Sequence, residues 1–287
     1  MNENLIQTSS IETVKQYVKE WKDSGATIGL VPTMGFLHEG HASLIARAVE
    51  ENDYVIVSDF VNPIQFGPTE DLETYPRDFE ADCHLVAQMG ASLIFHPTPE
   101  EMYGKDFFTH IYVDEMSQKL CGESRPIHFQ GVCTVCMKLF HISEANRAYF
   151  GQKDAQQLAI IRRMVRDLNL NIEIVGCPII REEDGLAKSS RNTYLKTKQE
   201  REAALILHHA LTKALEMYED GERRASVILE AMTQLIMTEP LATIDYIQAV
   251  AWDSLQDIEV IEEPVLIAMA VKVGPVRLID NMILDRA

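Results

Sequence analysis

The chain has 287 residues and a formal net charge of −18, and 46% of its residues are hydrophobic. This length predicts two domains, or one large and one small, each able to bury a core. The acidic excess argues against a basic surface for nucleic acid or for an anionic membrane.

The ends and the cysteines predict where the protein works. The first ten residues contain neither a basic segment nor an apolar segment, so we expect no secretory signal. The longest apolar run, Val265–Val271, is far shorter than the ~20 residues of a membrane span. Five cysteines are too few and too unevenly spaced for a disulfide framework. Together these features predict a reducing cytoplasm.

The first two-thirds of the chain alternate between helix-like and strand-like segments. Residues 11–22 carry apolar side chains at helical spacing, and residues 26–31 form an apolar run that ends at Pro32 and predicts a buried strand. Further helices are predicted over 42–50, 76–89, 132–143 and 154–168, and further strands over 54–61, 91–95, 148–150 and 172–175. This order predicts an α/β fold, a Rossmann-like doubly wound parallel sheet with helices on both faces.

The pattern changes after about residue 185. Two amphipathic helices are predicted over 198–218 and 225–237, followed by strands over 244–250, 265–271 and 276–279. A Gly274-Pro275 turn is expected between the last two strands. We therefore predict a Rossmann-like domain over 1–184 and a smaller α+β domain over 185–287.

The first candidate site follows the first predicted sheet strand and reads VPTMGFLHEGH over residues 31–41. Gly35 and Gly40 allow the backbone to bend and to approach a ligand closely. A helix N-terminus suits phosphate, and His38 and His41, three residues apart, would lie on one side of it. Metal ligation and simple helix capping are the alternatives, although no third ligand lies nearby to complete a zinc site.

The second candidate site reads KSSRN over residues 188–192 and follows a polar loop over residues 181–185. Two hydroxyls between two cations make an anion clamp. The same residue types are also ordinary loop composition, so this segment alone does not decide between the two interpretations.

The two sites together resemble the HIGH and KMSKS signatures of the nucleotidylyltransferase superfamily. Five further segments, in the same order along the chain, are similar to the pantothenate synthetase family: FVNPIQF (60–66), YPR (75–77), RPIHF (125–129), FGQKDAQQ (150–157) and DGLAKSSRN (184–192). The terminal RLIDN (277–281) matches as well. The resemblance covers nearly the whole chain and is densest over residues 31–194.

This resemblance implies an ATP-dependent ligase that activates pantoate as an enzyme-bound adenylate and joins it to β-alanine, releasing AMP and pyrophosphate. It also implies Mg²⁺ held mainly by the ATP phosphates, a cytoplasmic homodimer, and no nucleic-acid or membrane partner. His41 would be the proton donor, with His38 beside it on the phosphates. Gln65 and Gln157 would bind pantoate, Gln65 would also lie near β-alanine, and Asn62 would shape the pocket.

The family's ATP contacts carry over onto a larger set of positions, with no side chain expected as a metal ligand. These ATP-binding positions are Met34, Gly35, Phe36, Leu37, His38, Glu39, Gly40, His41, Gly151, Gln152, Lys153, Asp154, Ile180, Lys188, Ser189, Ser190 and Arg191. Three positions depart from the usual family pattern: Gln152, Gln130 and Lys188.

Other interpretations remain open for single residues. Gln65 and Gln157 could be surface amides, Asp154 could only cap the next helix, and Arg125 and His128 could form a structural loop pair. The pair Cys133 and Cys136 has the spacing of a redox or zinc motif, but its apolar surroundings favour packing. For the whole chain, the rival functions are another superfamily enzyme, such as an aminoacyl-tRNA synthetase or an adenylyltransferase, and a non-enzymatic nucleotide-binding module.

Overall fold

A computed structural model describes residues 5–68 and 70–285 of the chain. Residues 1–4, which begin the segment predicted to lack a secretory signal, lie outside the described residues. The contacts divide the chain into two compact units. Unit 1 holds the residues up to 117 with 125–152 and 160–178, and unit 2 holds 118–124, 153–159 and the residues from 179 onward. The domain boundary after residue 184 stays a prediction.

Unit 1 is built on a parallel sheet of six strands. The strands are β1 (Ile6–Thr8), β2 (Ile28–Thr33), β3 (Tyr54–Asp59), β4 (Leu93–Phe95), β5 (Arg147–Gly151) and β6 (Glu173–Cys177). Their order in the sheet is β1-β4-β3-β2-β5-β6, and every pairing is parallel. The predicted α/β fold with a parallel sheet is confirmed. The short edge strand β1 was not predicted.

Helices connect the strands of this sheet. They are α1 (Ile11–Asp23), α2 (Glu39–Glu51), α3 (Phe79–Gln88), α4 (Pro99–Tyr103), α6 (His128–Ser143) and α7 (Ala155–Asp167), with the short α5 (Cys121–Ser124) before α6. The helix α2 buries Leu44, Ile45 and Ala48 in one cluster with Val31 and Val57 of the sheet. Burying each large side chain of this kind stabilises the fold by about 1.5–3 kcal/mol, so this contact holds α2 against the sheet.

The strand order reverses between β2 and β5. From β2 the chain continues outward to β3 and β4, whereas β5 and β6 lie on the opposite side of β2. In open parallel sheets, ligands bind beyond the carboxyl ends of the strands at such a point. The segments that follow Thr33 at the end of β2 and Gly151 at the end of β5 therefore occupy the expected place for a ligand site.

Unit 2 is an α+β arrangement around a second core. Its main elements are the helices α8 (Lys198–Ala203), α9 (Ile206–Glu219) and α10 (Ala225–Ile236), and the strands β7 (Ala242–Ala251), β8 (Val265–Val273) and β9 (Val276–Leu284). The three strands form an antiparallel sheet in the order β7-β8-β9, and the predicted turn at Gly274 joins the last two. The side chains of Leu211, Ile228, Met232 and Ile267 are buried in its core.

The prediction of one continuous helix in unit 2 is wrong. The single helix predicted over 198–218 is two helices, because the backbone tightens at Ala204 and Leu205 into a hydrogen bond from Leu205 to Glu202. Over the described residues, no helix is long and apolar enough to cross a membrane.

Candidate active site

The loop after β2 turns sharply before α2 begins. Gly35 has φ +77° and Phe36 has φ +51°, so two consecutive residues adopt the left-handed conformation. A side chain at Gly35 would collide with Asp59 Oδ1, which explains why glycine stands there. Asp82 in α3 accepts hydrogen bonds from the amide N–H groups of Phe36, at 2.7 Å, and Leu37, at 2.6 Å. The loop is therefore held from beneath by a buried carboxylate that the sequence analysis did not assign.

The two predicted histidines lie together at the N-terminus of α2. His38 is the N-cap, and its Nδ1 accepts the N–H of Gly40 at 3.1 Å. His41 Nδ1 accepts the N–H of His38 at 3.3 Å, and the two ring centroids are 4.1 Å apart. Because Nδ1 is the acceptor in both rings, the proton of each neutral ring is on Nε2. Capping thus occupies one nitrogen of each ring, and Nε2 is the atom that could donate to phosphate.

The predicted pantoate residues Asn62 and Gln65 are buried and hydrogen-bonded to each other. Asn62 Nδ2 donates to Gln65 Oε1 at 2.9 Å and to the carbonyl of Gly131 at 3.1 Å. Gln65 Nε2 donates to Met34 Sδ at 3.0 Å. These contacts exclude the interpretation of Gln65 as a surface amide, and they place it against the first residue of the β2–α2 loop.

Three further residues contact Asn62 or the backbone of Gln65. Tyr103 donates from its hydroxyl to Asn62 Oδ1 at 2.5 Å, and burial raises the pKa of Tyr103 well above its ordinary value, so the hydroxyl stays a neutral donor. A side chain at Gly131 would meet Gln65 Cα at 2.5 Å. The His128 ring contacts the Gln65 carbonyl through Nδ1 at 3.1 Å. The sequence offered no signal for Tyr103, because its partner is 41 residues away.

Arg125 and His128, left open as a possible loop pair, have separate partners. Arg125 forms an ion pair with Glu70, and His128 contacts the Gln65 backbone. The RPIHF segment therefore fastens two different parts of unit 1 around the buried amides.

The segment after β5 carries the next predicted residues. Gly151 ends the strand, and a 3-10 turn over Gln152–Asp154 leads into α7. Lys153 Nζ lies 3.8 Å from Asp154 Oδ1, and the Lys153 carbonyl accepts a hydrogen bond from Asn281 at 2.8 Å. The backbone of Lys153 is thus anchored to β9 within unit 2.

The neighbouring amides Gln156 and Gln157 have different environments. Gln156 is buried, donates to the Lys119 carbonyl at 2.5 Å and accepts the N–H of Cys121 at 2.9 Å. Gln157 is only partly buried. The neighbouring backbone thus holds both ends of the Gln156 amide, and Gln157 stays the predicted pantoate residue.

The second predicted motif begins on a short bridge in unit 2. The N–H of Lys188 donates to the carbonyl of Ile180 at 2.9 Å, beside an antiparallel bridge between Arg181 and Ala187. An adenine contact through the Ile180 backbone would therefore use its N–H or share its carbonyl. Ser189 caps the following 3-10 helix by accepting the N–H of Arg191 at 3.3 Å.

A buried ion pair anchors this loop. Arg181 donates to both carboxylate oxygens of Asp280, at 2.7 and 3.0 Å, and to the carbonyl of Gly185 at 3.0 Å. Asp280 is only 2% exposed and belongs to β9. Gly185 has φ +96°, and a side chain there would collide with the His208 ring. The sequence placed Asp280 in the RLIDN segment but gave it no partner.

The cysteine pair lies in the apolar interior of α6. Cys133 and Cys136 are buried free thiols. Burial raises the pKa of the Cys133 thiol to about 12 and raises that of Cys136 as well. A reactive or metal-binding cysteine needs the thiolate, so these environments favour packing. Among the described residues, no group of three or more His, Cys, Asp or Glu side chains could hold a metal ion.

The parallel sheet, with a histidine-bearing turn at its carboxyl edge, defines the class as a nucleotide-binding α/β protein. A family model described as pantoate-beta-alanine ligase matches residues 6–283. A pantothenate synthetase of Clostridium botulinum (strain Loch Maree / Type A3) is 56% identical over 278 residues, which are 97% of this chain and 98% of the relative. One of Clostridium acetobutylicum is 57% identical over 272 residues, 95% of this chain and 96% of the relative.

Solved structures agree with these sequence matches. Pantothenate synthetase from Thermus thermophilus superposes with a TM-score of 0.92 at 40% identity, covering 97% of this chain and 99% of that one. A pantoate-beta-alanine ligase from Francisella tularensis, complexed with Beta-gamma ATP and Beta-alanine, gives 0.77 at 33% identity and covers 97% of both chains. The chain belongs to the pantoate–β-alanine ligase family and is a ligase.

Proposed function

We propose that this ligase condenses pantoate with β-alanine at the expense of ATP, giving pantothenate, AMP and pyrophosphate through an enzyme-bound pantoyl adenylate. Family membership over residues 6–283 supports the reaction. The observation that carries the assignment to a site is the contact between Gln65 and Met34, because it joins the candidate acid-binding amide to the candidate phosphate-binding loop.

The β2–α2 loop binds the ATP phosphates in this proposal. The helix N-terminus carries a partial positive charge, and Nε2 of His38 and of His41 can each donate to a phosphate oxygen. Charge builds up on pyrophosphate as it leaves, so donors that are already in place lower the barrier. We assign proton donation to His41 and phosphate contact to His38. The residues from Met34 to Gly40 supply the backbone of the same site.

Gln65 orients pantoate with Asn62 as its support. An amide both donates and accepts, so it can hold a hydroxyl and a carboxylate oxygen without adding charge. Because Asn62 and Met34 already hold the amide, little side-chain freedom is lost on binding. Gln157 is the second pantoate amide, and Gln65 also lies near the β-alanine site in this assignment.

The remaining ATP-binding roles are assigned to residues 151–154, to residues 188–191 and to Ile180. We assign phosphate contacts to Lys153, Lys188 and Arg191, with Ser189 and Ser190 between the last two. Their positive charges offset the repulsion between ATP and the pantoate carboxylate. Gly151, Gln152 and Asp154 contact the nucleotide, with Asp154 on the ribose, and Ile180 contacts adenine through its backbone.

The residues of the proposed site are compatible with a Mg²⁺ ion that binds through the ATP phosphates. A protein cage would need several carboxylates, and the described residues contain no such cluster. Phosphate oxygens and water supply the oxygen ligands that Mg²⁺ prefers, so the ion needs no carboxylate ligand from the protein. When bound, it would neutralise phosphate charge. A cytoplasmic location and a homodimer complete the proposal, both on family resemblance.

The test follows the two half-reactions separately. Purified protein is incubated with Mg·ATP and pantoate, first without and then with β-alanine, while pyrophosphate and AMP are measured. We expect pyrophosphate stoichiometric with sites from pantoate alone, and then AMP and pantothenate once β-alanine is added. A nucleotide-binding module would release no pyrophosphate. Another superfamily enzyme would not need pantoate.

A pair of variants assigns the pantoate site. Gln65→Ala should raise the KM for pantoate strongly, whereas Gln88→Ala, on an exposed position of α3, should not. An unchanged KM in Gln65→Ala would remove Gln65 from the site while leaving the reaction itself untouched.

A further inference from the structure

Two buried carboxyl groups lie under the β2–α2 loop, and none of the roles above uses them. Asp59 is the last residue of β3 and is 4% exposed, and Asp82 lies in α3 and is 2% exposed. Both carboxyl groups lie beside the same residue of the loop, Gly35. Buried acidic side chains are rare without compensating partners, so this pair requires an explanation.

Asp82 uses its carboxylate to hold the loop backbone. One oxygen accepts the N–H of Phe36 and the other accepts the N–H of Leu37. Phe36 has a left-handed backbone that costs energy for any residue with a side chain. Such a conformation persists only where the surroundings enforce it. Asp82 supplies that enforcement directly before the N-cap residue His38.

Gly35 is the loop residue that lies against both acids. A side chain there would collide with Asp59 Oδ1 and would lie 3.1 Å from Asp82 Oδ2. Both carboxyl groups therefore touch the same point of the loop.

The charges around the pair favour a retained proton. Burial and then the neighbouring Asp82 raise the pKa of Asp59 to about 6, while His96 opposes this shift. The pKa of Asp82 is also raised, mainly by burial, with the N–H groups of Leu37 and Phe36 opposing it and Asp78 adding to it. The Cys83 thiol faces both acids, and its pKa is raised to about 11 by burial and by their charges.

His96 also contacts Asp59. Its Nδ1 donates to the Asp59 carbonyl at 2.9 Å and lies 3.7 Å from Asp59 Oδ2, and its ring stacks on Phe79 with centroids 4.2 Å apart. The titratable groups that face the two acids are thus Asp78 and Cys83 from α3 and His96 from the segment after β4.

We propose that Asp82 and Asp59 are a positioning pair for the nucleotide, in which Asp82 holds the backbone of Phe36 and Leu37 and Asp59, buried beside the same loop residue, keeps a proton so that Asp82 alone carries a charge. This inference rests on the proposed ATP-binding role of the loop. With the proton present, the pair carries one negative charge, and the N–H groups of Phe36 and Leu37 donate to the carboxylate that carries it. When the proton leaves, two adjacent buried carboxylates repel each other beneath a loop that must receive anionic phosphates.

The first experiment replaces the anionic acceptor. Asp82→Asn keeps the shape but places an NH2 donor against one of the two amide N–H groups, so it should raise the KM for ATP about ten-fold or more, with a smaller change in kcat. Amide hydrogen exchange over residues 34–37 should become faster in the same variant. Glu80→Gln is the matched control, because it removes an exposed carboxylate from the same turn of α3. Normal exchange and a normal KM in a folded Asp82→Asn protein would overturn the proposal.

The second experiment uses pH and does not depend on Asp82→Asn folding. In the wild-type enzyme, the KM for ATP should rise as pH increases through about 6 and above. Asp59→Asn places a side chain that cannot become negatively charged beside Gly35 and should flatten this dependence. Measuring both proteins in the same buffers cancels the titration of ATP itself. Parallel pH profiles of the two proteins would overturn the role of the proton on Asp59.

The two levels of the proposal fail differently. If pantoate elicits no pyrophosphate from the wild-type enzyme, the proposed function is wrong, and amide exchange over residues 34–37 still reports on the pair. If turnover is normal and the exchange of Phe36 and Leu37 is as fast as that of an unprotected loop, the positioning pair alone is wrong.

Discussion

Gln65 donates from Nε2 to the sulfur of Met34 at 3.0 Å, so the amide assigned to pantoate touches the first residue of the loop assigned to ATP. Attack of a carboxylate on the α-phosphate requires the two substrates to be held close together in a fixed orientation. A direct contact between their binding residues provides this without a large movement within unit 1.

His41 should be essential to adenylation. His41→Ala removes the Nε2 donor, and we expect pantoate-dependent pyrophosphate release to fall about 100-fold or more. The Nδ1 cap on His38 is also lost, so the free energy of unfolding should drop by about 1 kcal/mol. His141→Ala, on an exposed position of α6, is the control for histidine removal. Near-normal turnover would exclude His41 from the chemistry.

Tyr103 should act on pantoate binding through Asn62. Tyr103→Phe leaves the buried Oδ1 of Asn62 without its hydroxyl donor, which should cost about 1–3 kcal/mol of stability. The Asn62 amide can then rotate away from Gln65, so the KM for pantoate should rise while the KM for ATP changes little. Tyr17→Phe, on α1, provides a comparison that keeps its ring contact with Trp21. Equal effects on both substrates would indicate general loosening instead.

The Arg181–Asp280 pair should stabilise the loop before Lys188. Asp280→Asn removes a buried charge from a two-oxygen contact, and the free energy of unfolding should fall by about 3 kcal/mol. The KM for ATP should rise because Arg181 also holds the carbonyl of Gly185. Glu202→Gln, which breaks an exposed pair with Lys198, should change stability by less than about 0.5 kcal/mol. Thermal unfolding and ATP titration measure both effects.

The cysteine pair should be dispensable for turnover. The double variant Cys133→Ser with Cys136→Ser should keep its kcat, while burying each hydroxyl in place of a thiol should cost about 1–3 kcal/mol. In the native wild-type protein, both thiols should react slowly with alkylating reagents, because burial keeps them protonated. A folded but inactive double variant would restore the redox or metal interpretation.

Asp59 should make stability depend on pH in a definite direction. The pKa of Asp59 is raised from its ordinary value of 3.8 to about 6. Between these two pH values, the folded protein keeps a proton that the unfolded chain has released. The free energy of unfolding should therefore fall by up to about 3 kcal/mol as pH rises from about 4 to about 6, and this slope should end above that range. Asp59→Asn should lack this component in urea titrations over the same range. A difference of the opposite sign would contradict the assignment.

The helices with strong periodicity and the buried strands were predictable because each carries its signal within a few residues. The apolar spacing of residues 11–22 predicted α1, and the apolar run before Pro32 predicted β2. The three-residue strand β1 was missed, because its only pairing partner among the described strands, β4, lies far along the chain. The break between α8 and α9 was missed because both sides keep the same apolar spacing.

The candidate site likewise contains residues that the sequence indicated and residues that it did not. The histidine turn, the glutamines and the KSSRN loop were visible as motifs, since each is a run of neighbouring residues of suitable chemistry. Asp59, Asp82 and Tyr103 were not, because each acts on a residue more than 20 positions away.

The sequence by itself therefore determined the family, the α/β class and the candidate site residues, because these depend on local pattern and on motifs. Only the tertiary structure decided which nitrogen of each histidine accepts a backbone N–H group, which of two adjacent glutamines the neighbouring backbone holds, and what holds the left-handed backbone at Phe36. Those features depend on hydrogen bonds and charges between residues that folding brings together, and no local pattern records them.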